Sequence, residues 1–167
     1  MARLGEAPPA PRLDDPDVRM AAAVAAFHAE IADRLLAGAR ERLAESGLAA
    51  EALDVHTVPG AYELPLTALA LARTGGYAAI LALGAVVRGR TPHFDYVCDA
   101  AASGLLRVSL DTGVPCAFGL LTCDTYAQAE ARAGGEVGNK GHEAADAAVA
   151  MVNLLRSVGS ATPVRAP

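Results

Sequence analysis

Residues 77–87 read Tyr-Ala-Ala-Ile-Leu-Ala-Leu-Gly-Ala-Val-Val, and the loop Arg88-Gly89-Arg90-Thr91-Pro92-His93 follows directly. An apolar run of this length, flanked by glycines, is typical of a strand buried on both faces of a parallel sheet. The basic loop therefore lies at the carboxyl end of a strand, where open α/β sheets bind their ligands. Its arginines, its backbone N–H groups and the helix start that follows favour a phosphate or another anion.

Strand-like apolar runs alternate with segments of helical periodicity along most of the chain. We predict strands at residues 18–26, 53–58, 77–87 and 114–122, and helices at residues 30–46, 62–73, about 94–111, 124–131 and 142–158, with a glycine loop at 134–141. Repeated strand–helix units imply right-handed crossovers between parallel strands. The predicted fold is an α/β three-layer sandwich, in which helices flank both faces of a four-stranded parallel sheet with the flavodoxin-like order 2-1-3-4.

Composition limits the class of protein. The chain has 167 residues, of which 53% are hydrophobic, so it fits one domain with a substantial core and an apolar excess that indicates self-association. Its apolar stretches are interrupted by Gly, Arg or Pro before the roughly 20 residues that a membrane-spanning helix needs. A net charge of −5 argues against a nucleic-acid-binding surface. We therefore expect neither nucleic acid nor membrane as a partner.

Three regions are predicted along the chain. Residues 1–17 are rich in proline and acids and lack the apolar segment of a signal peptide, so we expect a flexible arm and a cytoplasmic protein. Residues 18–158 form the single α/β domain, and residues 159–167 form a disordered tail. The cysteines Cys98, Cys116 and Cys123 lie in apolar surroundings and are interpreted as reduced core residues. Because no spacing of Cys, His, Asp and Glu indicates a metal site, we assign none.

Several sequence blocks carry a resemblance to a known family. They are Val58-Pro-Gly-Ala-Tyr-Glu-Leu-Pro65, Gly84-Ala-Val-Val-Arg-Gly-Arg-Thr-Pro-His-Phe-Asp-Tyr-Val97, Val108-Ser-Leu-Asp-Thr-Gly-Val-Pro115, Phe118-Gly-Leu-Leu-Thr-Cys-Asp-Thr125, Arg132-Ala-Gly and Gly138-Asn-Lys-Gly141. Over almost all of residues 18–158 these blocks resemble lumazine synthase, in the family's order. The resemblance implies the penultimate step of riboflavin synthesis. In that step 5-amino-6-(D-ribitylamino)uracil condenses with 3,4-dihydroxy-2-butanone 4-phosphate, without cofactor or metal, to give 6,7-dimethyl-8-ribityllumazine and phosphate.

A histidine suits this reaction, because imine formation, phosphate elimination and ring closure all need proton transfers near neutral pH. His93 matches the family's proton-transfer residue. Without the motif it would more often be interpreted as a helix-start histidine that contacts the backbone. Asp95 either orients His93 or is an exposed first-turn acid favoured by the helix dipole.

The resemblance also implies residues for the phosphorylated substrate. Arg132 matches the arginine that holds the phosphate, although alone it would be interpreted as a solvated residue near a helix end. Thr91 and the amide of Arg90 occupy the loop positions that contact the same substrate. The side chain of Arg90, where the family often has a small residue, either adds a charge-assisted contact or points into solvent. Glu136 replaces a frequent lysine and places a negative charge nearby.

Other residues are implied to surround the pyrimidine and its ribityl chain. They are Phe27, Ala61, Tyr62, Glu63, Ala85, Val86, Val87, Phe118 and Lys140. An aromatic ring can stack on a flat heterocycle, but core packing is the alternative, and it is the stronger one for Phe118 in mid-strand. Glu63 is otherwise an ordinary first-turn helix acid. Lys140 is the chain's only lysine, which suggests a need for a compact point charge, although biased composition can leave one lysine anywhere.

The resemblance implies a homopentamer, sometimes built into decamers or sixty-subunit capsids, with Phe118, Arg132 and Lys140 supplied by a neighbouring copy. Riboflavin synthase would be the downstream partner. An alternative function is a non-catalytic lumazine- or flavin-binding shell protein of the same fold. Its support is Glu136, the apolar composition and the end of the first strand, where Ala25-Ala26-Phe27-His28 stands in place of the common Ser-Arg-Phe-Asn. His28 either contacts the ribityl chain or the phosphate, or is a helix-capping or exposed residue, and we favour the second interpretation. A nucleotide-binding module is disfavoured, because no Gly-x-Gly-x-x-Gly or Walker-type loop follows the first strand.

Overall fold

The computed structural model describes residues 9–160. Its helices and strands, in chain order, are β1 (Met20–Ala25), α1 (Ala29–Glu45), β2 (Leu53–Val58), α2 (Leu64–Arg73), β3 (Ala79–Val87), α3 (His93–Thr112), β4 (Cys116–Cys123), α4 (Tyr126–Arg132), β5 (Ala133–Gly135), β6 (Gly138–Asn139) and α5 (Lys140–Ser160). Single 3-10 turns, Ala50–Ala52 and Ala61–Glu63, precede β2 and α2.

Four of the strands form one parallel sheet in the order β2-β1-β3-β4. Val24 of β1 lies between Thr57 of β2 and Leu83 of β3, so β1 and β3 occupy the centre of the sheet. This arrangement confirms the predicted fold class and strand order. The order reverses between β1 and β3, which is where open α/β sheets form a crevice outside the carboxyl ends of their strands.

Alternating side chains of the central strands supply two core clusters. Met20, Ala22 and Val24 pack with α1 and α5, whereas Ala21 and Ala23 pack with α2 and α3. Every residue of β1 is buried. Alanine favours helices when judged by propensity alone. Here burial between two helical layers decides, because small side chains allow helices to pack closely on both faces of the sheet.

The glycine-rich segment after α4 is more regular than the predicted loop. Residues 133–135 and 138–139 pair as a short antiparallel hairpin, and α5 begins at Lys140 rather than at residue 142. Gly134 and Gly138 adopt φ values of 90° and 98°, which only glycine reaches without strain. The backbone turn, rather than any side-chain pattern, forms this hairpin, and a hydrophobic periodicity does not reveal it.

Contacts hold residues 9–17 to the domain, and Leu13 is buried in its core. The N–H of Leu13 donates to the carbonyl of Ser46 at 2.9 Å, and the Asn153 side chain bonds both Arg12 and Asp14. Within residues 9–17 of the predicted arm, these contacts join the chain to the end of α1 and to α5. The rest of the predicted arm, residues 1–8, and residues 161–167 of the predicted tail lie outside the described residues.

Three further features bear on the class of protein. None of the helices within residues 9–160 is long and apolar enough to cross a membrane. The three cysteines are free thiols, and burial raises the pKa of each, so they remain protonated at neutral pH. Over the same range, no group of His, Cys, Asp and Glu side chains is placed to hold a metal ion.

Candidate functional site

A crevice of about 600 Å³ opens at the carboxyl end of the sheet. It brings together most of the residues that are predicted to bind the pyrimidine and its ribityl chain. It also contains the predicted proton-transfer residue. Those residues are Phe27, Ala61, Tyr62, Glu63, Ala85, Val86, Val87 and His93. The crevice also contains His28, Gly60, Tyr96 and Val97, which the site prediction did not include.

Phe27 lies at the mouth of the crevice. The N–H of Ala26 donates to the Val58 carbonyl at 2.8 Å, which continues the β1–β2 pairing one residue past the end of β1. The chain then leaves the sheet, and the Phe27 side chain is 71% exposed. The ring of Phe27 is therefore not packed in the core, and it is available to a ligand.

His28 turns the chain from β1 into α1. Its φ and ψ are 57° and 53°, which is the left-handed conformation. Within residues 9–160, no other non-glycine residue has a positive φ. The His28 carbonyl accepts the N–H groups of Ile31 and Ala32, but its side chain makes no capping hydrogen bond. The imidazole centroid lies 5.6 Å from the ring centroid of Phe27 and 5.6 Å from that of Tyr126. His28 therefore occupies the N-cap position of α1, but it caps the helix through its backbone and not through its side chain.

The turn after β2 forms one wall. Gly60 is extended, and a Cβ built on it would lie 3.4 Å from Oε2 of Glu63, so the carboxylate folds back beside the Gly60 backbone. Ala61 is buried, while Tyr62 is exposed. Pro65 lies in the first turn of α2, where its missing N–H interrupts no helical hydrogen bond. The sequence Pro-Gly-Ala-Tyr-Glu thus places a carboxylate and a turn of backbone at the crevice.

The floor of the crevice is the end of β3. β1 pairs with β3 only as far as Leu83, so residues 85–87 have strand β4 on one side and the crevice on the other. At Gly84, a Cβ would lie 2.8 Å from the Ala25 Cβ. The missing side chain lets β1 and β3 approach closely just below the site. Backbone groups of residues 85–87 on the β1 side are consequently open to a ligand.

Arg88 connects the elements around the basic loop. Its Nε lies 2.8 Å from Asp124 Oδ1, its Nη1 lies 3.1 Å from Asp95 Oδ1, and its guanidinium lies 4.1 Å from the ring centroid of Phe94. The hydrogen bond to Asp124 raises the pKa of Arg88 above its already high value, so the charge is permanent. Asp95 therefore pairs with Arg88, and within residues 9–160 no hydrogen bond joins it to His93.

His93 is the first residue of α3, and its exposed side chain lines the crevice. Tyr96 and Val97 follow it by three and four residues, so they lie on the same helical face. This spacing could have identified both residues from the sequence. Arg90 and Thr91 are exposed on the loop before His93 but do not line the crevice.

The other three predicted site residues lie outside this crevice. Phe118 is 41% exposed on the edge strand β4. Arg132 lies in the last turn of α4 and donates from Nη1 to the Gln128 carbonyl at 3.0 Å. Lys140 forms an ion pair with Glu143 at the start of α5. A single chain therefore does not bring Arg132 into the crevice that His93 lines.

The Gly-Asn-Lys-Gly segment has a structural role that sequence reasoning missed. The Asn139 amide donates to the Arg34 carbonyl at 3.0 Å, and its Oδ1 accepts the N–H of Gly141 at 2.8 Å. A Cβ built on Gly141 would lie 2.0 Å from the Leu35 carbonyl oxygen. The glycine lets α5 begin against α1, and this contact fixes where Lys140 emerges.

Two comparisons with known proteins agree with this geometry. The profile of the family described as 6,7-dimethyl-8-ribityllumazine synthase matches residues 17–156. A curated protein from Desulfatibacillum aliphaticivorans, named 6,7-dimethyl-8-ribityllumazine synthase, is 53% identical over 131 residues, which cover 78% of this chain and 84% of that relative. The matched range contains every residue that lines the crevice. On this basis the chain belongs to the 6,7-dimethyl-8-ribityllumazine synthase family.

Proposed function

We propose that the crevice condenses 5-amino-6-(D-ribitylamino)uracil with 3,4-dihydroxy-2-butanone 4-phosphate to give 6,7-dimethyl-8-ribityllumazine and phosphate. One observation carries the assignment of residues. A single crevice gathers an exposed aromatic ring, a carboxylate, open strand-end backbone and the imidazole of His93. These groups match the needs of a flat heterocycle with a polyol chain that reacts through proton transfers.

The pyrimidine is held by Phe27 and the end of β3 in this proposal. Its flat ring stacks on the exposed phenyl ring, as aromatic systems do in offset or edge-on arrangements. Its polar ring edge bonds to the backbone of residues 85–87, which lack a strand partner on the β1 side. The ribityl hydroxyls bond to the Glu63 carboxylate and to the backbone of Ala61 and Tyr62.

His93 transfers protons at the reacting carbonyl and amine. As the amine adds to the ketone, the imidazole moves protons between the nitrogen and the departing oxygen, and it assists again when phosphate leaves. Both substrates held side by side already react faster than they do in free solution, because their encounter no longer costs translational entropy. The imidazole therefore adds to an acceleration that positioning begins.

The phosphate requires cations near the loop that contains Arg90 and Thr91. Arg132 and Lys140 would come from an adjoining copy, so that the site is completed between two chains of a homopentamer. The exposed apolar side chains of α2, α3 and β4 support this assembly. They are Leu66 at 72% exposure, Leu106 at 61%, Leu110 at 76% and Phe118 at 41%. A monomer rarely leaves so much apolar surface in water.

Purified protein mixed with both substrates should form the lumazine chromophore and release phosphate faster than the mixture without protein. Sedimentation of the same sample should give a homopentamer or a multiple of it. A rate equal to the protein-free control would overturn the enzymatic proposal. Tight binding of the lumazine without phosphate release would favour the shell-protein alternative. A monomer at assay concentrations with full activity would overturn the shared site.

A further inference from the structure

We propose that Arg88 is a positioning residue, which fixes the loop Arg88–Pro92 and the first turn of α3 to the end of β4. We call residues 88–92 the anion loop. Arg88 also offsets one of the two negative charges that Asp95 and Asp124 place beside the loop. The inference rests on the proposed function, because the anion loop is where the phosphorylated substrate would bind.

The contacts of Arg88 reach three elements from one residue. Its backbone N–H donates to the Cys123 carbonyl at 2.9 Å, which extends the β3–β4 pairing one residue past the end of β3. Its guanidinium bonds to Asp124 just after β4 and to Asp95 in the first turn of α3. The same group covers the ring of Phe94, which is buried. Both ends of the anion loop are thereby held to β4.

These contacts bear on His93 through its neighbours. Phe94 and Asp95 directly follow His93, and Arg88 contacts both of them but not the imidazole itself. If the first turn of α3 moves, His93 moves with it. Arg88 therefore acts on geometry rather than on the reacting atoms.

Charge gives Arg88 its second role. Asp95 and Asp124 are 61% and 67% exposed, and without Arg88 they would leave two negative charges beside the anion loop. A phosphate ester would then be repelled where it has to bind. The repulsion would be reduced by water but not abolished, because both carboxylates lie next to the loop. Arg88 therefore halves the negative charge of these two carboxylates, from −2 to −1.

An arginine is required at this position because one planar guanidinium contacts two carboxylates and one aromatic ring at the same time. Nε and Nη1 point to different carboxylates while the flat face lies on the Phe94 ring. A lysine provides one point charge on a flexible stem and cannot make all three contacts. The variants Arg88→Gln and Arg88→Lys thus separate the loss of charge from the loss of the fork.

Steady-state kinetics with each substrate varied in turn tests the inference. Arg88→Gln should raise KM for the butanone phosphate roughly three- to tenfold and leave KM for the pyrimidine unchanged. Adding Asp95→Asn and Asp124→Asn to that variant should lower this KM only part of the way back to the wild-type value, because the repelling charges are removed but the guanidinium contacts are still missing. The matched control is Arg19→Gln, since Arg19 pairs with Asp54 at the opposite end of the sheet. It should leave both Michaelis constants unchanged.

Amide hydrogen exchange of residues 88–95 gives a readout that does not depend on turnover. Arg88→Gln and Arg88→Lys should both speed exchange there, and Arg19→Gln should not. If the wild type has no activity but Arg88→Lys loses protection, the proposed function fails and the positioning role stands. If the wild type is active, and Arg88→Lys alters neither exchange nor KM for the phosphorylated substrate, the positioning role is overturned. Arg88→Lys keeps a cation, so it decides the matter even if Arg88→Gln does not fold.

Discussion

The ring of Phe27 meets the imidazole of His28 edge-on, with centroids 5.6 Å apart and planes at 82°. The imidazole also lies 5.6 Å from the ring of Tyr126 at the start of α4, with the two planes tilted by 55°. The exposed phenyl ring at the crevice mouth is thus supported by a second layer of rings. His28 achieves this only in a left-handed backbone conformation, which costs energy for any residue with a Cβ.

Substitutions of His28 should separate backbone strain from ring support. Asparagine tolerates the left-handed conformation, whereas a β-branched residue does not. His28→Val should therefore lower the free energy of unfolding by about 1–3 kcal/mol relative to His28→Asn, measured by urea denaturation. Both variants remove the ring, so both should raise KM for the pyrimidine. Equal stability of the two variants would contradict the assigned strain.

His93→Ala should lower kcat without abolishing catalysis. We expect a loss at the lower end of general acid–base effects, about a hundredfold or less, because the bound substrates remain positioned. The measurement is the initial rate of lumazine formation at saturating substrates. His56→Ala, which removes an exposed imidazole from β2, is the control and should keep the wild-type rate. An unchanged rate in His93→Ala would remove this residue from the mechanism.

Arg132→Ala should selectively weaken the binding of the phosphorylated substrate. Loss of a charge-assisted contact to the phosphate predicts a KM raised roughly tenfold to a hundredfold, with little change for the pyrimidine. Arg40→Ala, which removes an exposed arginine from α1, serves as the control. Mixing Arg132→Ala with His93→Ala should raise the activity above that of either variant when chains exchange, because some sites then combine an intact His93 with an intact Arg132. Failure of such mixtures to gain activity would argue against a site shared between copies.

Gly141→Ala should destabilise the fold strongly. The added Cβ would lie 2.0 Å from the Leu35 carbonyl oxygen, so α5 would have to move away from α1. Overpacking of this kind costs about 1–3 kcal/mol or more in the free energy of unfolding. Gly159→Ala is the matched control, because nothing lies within 4 Å of its Cβ position in the same helix. That variant should be neutral or slightly more stable.

Acid should weaken an ion pair at the opposite end of the sheet. The hydrogen bonds from Arg19 and then from Tyr77 lower the pKa of Asp54 below its usual 3.8. Because the folded-state pKa is depressed, this stabilisation is present above pH 3.8 and disappears as the pH falls through the folded value. Asp54→Asn should therefore lose less stability than the wild type on acidification, measured by urea unfolding at each pH. Identical acid dependence in the two proteins would contradict the shift.

Much of the fold could be predicted because buried segments have a recognisable hydrophobic pattern in the sequence. A run buried on both faces excludes polar residues, so residues 77–87 marked the central strand and the loop after it. The alternation of strands and helices then limited the possible folds to a parallel sheet with right-handed crossovers. The hairpin within residues 133–139 was missed because positive φ values at glycines leave no hydrophobic pattern.

The candidate site was predictable to the extent that its residues follow strand ends. Phe27, residues 61–63, residues 85–87 and His93 meet because parallel strands deliver their carboxyl ends to one edge. The edge-on contact of His28 with Phe27 and the pairing of Asp95 with Arg88 depend on side-chain directions. No spacing in the sequence specifies those directions.

The sequence by itself determined the parallel strands, their alternation with helices and the basic loop beside the crevice, because hydrophobic burial and strand–helix alternation are local and periodic. Only the tertiary structure decided which charges pair, since contacts such as Arg88 with Asp124 join residues distant in the chain. It also decided that Arg132 and Lys140 lie outside the crevice of their own chain. Such placements follow from how helices pack on the sheet, which no local pattern encodes.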